Sequence, residues 1–150
     1  MRKQKGFSLI ELLIVVAIIL IIADIAIPNL LRSRIAANEA SAASSVRTVV
    51  SMETQYKINT ASYGTLAELN TANLIDAALG VTGQKSGYTF ASAAVTADTF
   101  QVTADPTSPG NSGVRAFCSD QNTIVKVDGV SNPPTPGTGA ACLAGNNALN

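Results

Sequence analysis

Residues 1–28 read MRKQKGFSLIELLIVVAIILIIADIAIP, and this stretch constrains how the rest of the chain can fold. Three bases, Arg2, Lys3 and Lys5, precede Gly6, and an apolar segment opens at Phe7. From Leu12 to Ala23 there are twelve consecutive Leu, Ile, Val or Ala residues. Phe7 to Ile27 is 21 residues; as a helix that is about 32 Å, close to the hydrocarbon thickness of a bilayer. Glu11 sits inside this segment. A carboxylate at mid-bilayer costs about 2.5–3.5 kcal/mol on insertion scales, so it needs a physical reason to be there.

A secretory signal has a basic tip and an apolar run, but also a small-x-small cleavage pattern just after the run. Ala17, Ala23 and Ala26 have the wrong spacings for that pattern, and the ASA string at Ala40–Ala42 comes well past the run. A retained transmembrane segment is therefore expected. The basic tip orients it with the N-terminus in the cytoplasm and residues after Pro28 outside. Formal net charge is zero over the 150 residues, which gives no basis for nucleic-acid affinity. With the three leader bases set aside, seven bases face ten acids, a mildly acidic remainder. The two cysteines, Cys118 and Cys142, suggest one disulfide in an exported domain and two free thiols in a cytosolic one.

The string KGFSLIELLIVVAIILIIADIAIP resembles the N-terminus of type IV pilins and of the pseudopilins of type II secretion. The shared features are a short basic leader, Gly6, then Phe7, a carboxylate five places after the glycine (Glu11), the apolar run and Pro28. The resemblance implies cleavage between Gly6 and Phe7 by a prepilin peptidase in the inner membrane, and N-methylation of the new Phe7 amine. It implies three regions: a leader over 1–6, a transmembrane and filament-core helix over 7–27, and a soluble head over 28–150. Its partners would be identical subunits in a helical homopolymer, the peptidase, the inner-membrane assembly machinery, and membrane lipid before assembly. The chain would be single-pass in the inner membrane and then part of a surface filament. In this frame Glu11 of one subunit meets the Phe7 amine of a neighbour. Two desolvated charges are then removed together and the subunit register is fixed. Left alone, Glu11 would snorkel to the headgroups or be protonated.

Asp24 lies 17 residues after Phe7, about 25 Å along a helix, near the outer interface where solvation is available. A filament contact with Arg32 or Arg34 of another subunit is the sharper reading. Pro28 cannot donate a backbone hydrogen bond and disfavours helix in the residue before it, so a break is expected there. Helix then resumes to about Asn59. Ile35, Ala42, Val49 and Tyr56 recur every seven residues, joined by Val46, while Ser, Asn, Glu and Arg occupy the other side. Thr65 and Glu68 have capping-box spacing for a short helix with Leu66, Leu69, Leu74, Ile75 and Leu79 as its apolar side. Four runs, GYTFASA, DTFQVTA, VRAFCSD and NTIVKVD, are rich in β-branched and aromatic residues. The expected fold is α+β: a long N-terminal helix over about 7–59, packed on a small antiparallel sheet of three or four strands. A tail rich in Pro, Gly and Asn follows. With the chain exported, as the resemblance implies, a Cys118–Cys142 bond would close a 25-residue loop, worth about 3.5 kcal/mol in the chain-entropy model.

The sequence offers no catalytic chemistry to set against this. With no histidine, Ser-His and Cys-His pairs do not exist. No glycine-rich phosphate loop is present, and the cysteine spacing does not match a zinc site. Asp98, Asp105, Asp120 and Asp128 lack EF-hand spacing and suit turns or strand ends. No enzyme, metal or other cofactor is expected. The functional expectation is the major structural subunit of a type IV pilus; the alternatives are a secretion pseudopilin and a membrane-tethered binding domain.

Overall fold

The computed structural model describes residues 7–93, 95–122 and 125–128, the last three strand residues without their side-chain surroundings. The chain divides into two units, Met1–Arg34 and Ile35–Asn150. Helix α1 runs Leu9–Thr60. Its first part, within the N-terminal unit, buries nothing: every Phe, Leu, Ile and Val side chain from Phe7 to Leu31 is at least 40% exposed. The break expected at Pro28 is not observed, and α1 is helical through it. One missing N–H leaves the Asp24 carbonyl without its ladder partner, but full ladders on both sides propagate the helix cooperatively. Ala61 ends α1 in the left-handed region at φ 62°, with its N–H donated to the Lys57 carbonyl at 2.8 Å, the usual way a helix stops.

In the second unit, the expected seven-residue stripe of α1 becomes the core face from Ala42 onward; its first member, Ile35, is half-buried and outside the core cluster. Ala42, Val46 and Val49 are fully buried and Tyr56 is partly buried. They share one cluster with Leu66, Leu69, Tyr88, Phe90, Val102, Ala104 and Phe117, each large member contributing about 1.5–3 kcal/mol by burial. Tyr63 packs against Phe100 with ring centroids 4.6 Å apart and the planes tilted by 48°.

The expected short helix is two pieces, α2 (Leu66–Thr71) and α3 (Ala77–Gly80). The Thr65–Glu68 capping box is formed in both directions. A second cap, Asp76, accepts the Leu79 N–H at 3.0 Å and starts α3. The antiparallel sheet has strand order β1-β2-β3-β4-β5, with β1 Gln84–Lys85, β2 Tyr88–Ala93, β3 Gln101–Pro106, β4 Ala116–Asp120 and β5 Lys126–Asp128. Strands β2, β4 and β5 fall within three of the four predicted runs, and β3 overlaps the DTFQVTA run and continues through Asp105 and Pro106. The two-residue β1 is added by a tight hairpin: Lys85 pairs with Tyr88, and Ser86 and Gly87 between them both have positive φ, 51° and 73°. That is the type I′ geometry.

Candidate assembly site

The N-terminal unit presents an unburied apolar surface. Phe7 is 83% exposed, Ile10 64% and Leu20 64%, and the most hydropathic 18-residue window of α1 averages 3.0 with none of it buried. A contiguous apolar surface of this size on a folded chain marks a membrane or protein contact. By length and composition this helix can cross a membrane.

Glu11 stands one turn into this surface. Its Oε2 accepts the Ser8 backbone N–H at 2.9 Å. Ser8-Leu9-Ile10-Glu11 is thus one half of a capping box, in which the N3 carboxylate satisfies the N-cap donor. This local role is additional to the pairing expected of Glu11, and its signal in the sequence is the Ser-x-x-Glu spacing at the head of the run. The same bond holds the carboxylate at the helix start, beside Phe7. Gly6 lies outside the described residues. Asp24, Arg32 and Arg34 are all exposed.

Other residues singled out from sequence belong to the second unit. Cys118 is buried on β4 at 3% exposure; Cys142, and with it the expected Cys118–Cys142 bond, lies outside the described residues. Strand β3 is buried on both faces. Val102 and Ala104 join the core, while Gln101 and Thr103, the alternate positions, carry buried polar atoms unpartnered among the described residues. The acids Asp98, Asp105 and Asp120 form no metal-type cluster among the described residues.

Two acids of α1, expected on its polar side, are engaged by the second unit: Glu39 is half-buried and Glu53 is buried. Glu39 Oε1 accepts the Val114 and Arg115 backbone N–H groups at 2.9 and 3.1 Å. Asn38 Nδ2 donates to the Ser112 carbonyl at 2.8 Å, so this pair ties the loop before β4 to the helix. Glu53 is fully buried. It follows Val49 by four residues and Val46 by seven, which puts it on the core stripe. Its Oε2 accepts the Gly64 N–H at 3.0 Å. Burial pushes its pKa up to about 7, against a smaller lowering by the Gly64 bond. Burial likewise raises the Tyr88 hydroxyl, which donates to the Arg115 carbonyl at 2.8 Å. The Asp76 carboxyl is lowered, first by the hydrogen bond from Lys85, whose Nζ is 2.7 Å away.

Residues 1–23 match the family model described as the prokaryotic N-terminal methylation motif. The chain is 39% identical over 100 residues to the type IV wide pilus major component PilA4 of Thermus thermophilus, a match covering 67% of this chain and 72% of that protein. It is 31% identical over 64 residues to the type II secretion system core protein G of Dickeya chrysanthemi, covering 43% of this chain and 42% of that protein. Against the core protein G of Vibrio cholerae the figures are 35% over 65 residues, 43% and 44%. The methylation-motif N-terminus is here an unburied apolar helix that leads into an α+β unit, and with these relatives the chain belongs to the type IV pilin and pseudopilin family.

Proposed function

We propose that this protein is the major structural subunit of a type IV pilus. Its leader is cut between Gly6 and Phe7, Phe7 is N-methylated, and the subunit is drawn from the inner membrane into a helical surface filament. The observation that carries the reading is the unpaired apolar surface of residues 7–31 with Glu11 at its start. In a membrane this surface is solvated by lipid; in a filament the helices of other subunits take the lipid's place. Cleavage would leave a cationic amine at Phe7, and Glu11 of a neighbour would neutralise it where an unpaired charge is expensive. The greater coverage of the wide-pilus component favours the pilus.

A pseudopilin, a short periplasmic rod of a secretion machine, is the second reading, favoured by the two core protein G matches. Electron microscopy of sheared surface fibres, with mass spectrometry of their subunit, separates the two. Long fibres made of this chain support the pilus. Processed subunit in the envelope without surface fibres supports the pseudopilus.

A further inference from the structure

Asp24 is an exposed acid towards the end of the apolar helix, and Arg32 is an exposed base eight residues on. Among the described residues neither has a hydrogen-bond or ion-pair partner. Because α1 is continuous through Pro28, the two side chains are held about 12 Å apart along one axis and cannot pair with each other.

We propose that Asp24 of one subunit pairs with Arg32 of a neighbouring copy, and that this pair reads the same register as the Phe7–Glu11 pair. The inference rests on the filament reading above. After cleavage, one helix carries plus at Phe7 and minus at Asp24, 17 residues or about 25 Å apart. Its neighbour carries minus at Glu11 and plus at Arg32, 21 residues or about 32 Å apart. Setting Glu11 level with the neighbouring Phe7 brings Pro28 level with the neighbouring Asp24. Arg32 then lies about 6 Å, one turn, beyond. Helical side chains lean toward the N-terminus and cover the preceding turn, so Arg32 reaches back to that level. At 100° per residue, Glu11 and Arg32 are about 60° apart on the helix and share a face, whereas Arg34 is about 140° from Glu11. The geometry therefore selects Arg32 over Arg34. Two opposite-sign pairs on one axial offset disfavour slipped registers, which a uniform surface of Leu, Ile and Val would tolerate.

Charge exchange in the full-length chain tests this, with fibre yield read against subunit level in the membrane. Asp24→Arg or Arg32→Asp alone lowers sheared fibre by about tenfold or more at unchanged membrane level, as like charges then face each other. The double exchange restores yield to within about threefold of wild type. Arg34→Asp, on the other side of the helix, stays near wild type. A double exchange no better than the worse single, single reversals with wild-type yield, or an Arg34→Asp defect equal to that of Arg32→Asp overturns the pairing. In those cases wild-type fibres leave the filament reading standing; no fibre or rod from the wild-type chain overturns both.

Discussion

Glu53 and Gly64 are joined by a 3.0 Å bond from the Gly64 N–H to the Glu53 Oε2. The glycine backbone comes so close that an added Cβ would lie 2.8 Å from the Tyr56 ring and 2.9 Å from Leu69. Glu53 Oε1 has no partner among the described residues, so the bond satisfies half of a fully buried carboxyl. The folded state thus favours the protonated acid. Glu53 has a folded pKa of about 7 against an ordinary 4.5. Below about pH 4.5 both states hold the proton and the preference is fully present. Between about 4.5 and 7 the unfolded chain releases it first and stability falls, levelling above 7. At 1.36 kcal/mol per pH unit this is about 3 kcal/mol. Glu53→Gln should flatten that part of the profile, as read by urea melts of the head at pH 5 and pH 8. A wild-type head whose Glu53-dependent slope is zero or opposite in sign contradicts the account.

The leader is expected to be removed. Mature protein should begin at Phe7 and carry an N-methyl group, checked by mass spectrometry of the assembled subunit. Gly6→Leu should block the cut, since a peptidase acting there must accommodate a small residue, and the precursor should accumulate. An intact Met1 terminus in assembled material contradicts this.

Glu11→Ala should leave membrane insertion and cleavage intact, because the run becomes more apolar and the leader is unchanged. A neighbouring Phe7 amine would then be buried without its partner. Removing one member of a buried ion pair costs about 3–5 kcal/mol, or roughly 10²–10³-fold or more in a docking equilibrium. Processed, membrane-held subunits with few fibres are the expected outcome. Because Glu11 also caps Ser8, Glu11→Gln is the informative companion: it can still accept that N–H but carries no charge, and fibre yield should remain low. Wild-type yield from both variants rules the pairing out.

Cys118 and Cys142 should be linked in exported protein. Peptide mapping without reductant should recover the joined peptides. Loss of the bond should lower stability by up to about 3.5 kcal/mol and leave the helical far-ultraviolet signal of α1 intact. Recovery of both thiols freely alkylated from surface protein contradicts the link.

A chain shortened to begin at Pro28 should be soluble and monomeric at micromolar concentration, because the 21-residue apolar segment is gone while the compact unit from Ile35 onward is retained. Circular dichroism should show mixed helix and strand, and sedimentation a single small species. Ready filament formation by this shortened chain contradicts a driving role for residues 7–27.

The sequence by itself determined the elements whose signals are local. An unbroken apolar run specifies its own helix and its own need for lipid or partner helices, whatever else the chain does. The seven-residue stripe at Ala42, Val49 and Tyr56, the Thr65–Glu68 box and the β-branched runs gave the α+β order for the same reason: period and capping are written within a few residues. The hairpin at Ser86-Gly87 was equally local, and its positive-φ dipeptide was the overlooked signal. Tertiary structure alone decided the fate of charges and polar groups on those elements. Glu53 looks solvated by residue type, and only the approach of the Gly64 backbone makes its burial tolerable. Glu39 finds its donors 75 and 76 residues away at Val114 and Arg115, a distance no periodicity encodes. The alternate face of β3 is buried although Gln101 and Thr103 are polar, because burial depends on what packs over a strand as well as on its pattern. Pro28, a local breaker by chemistry, lies within a continuous α1: one lost hydrogen bond is small against the cooperative ladder on either side.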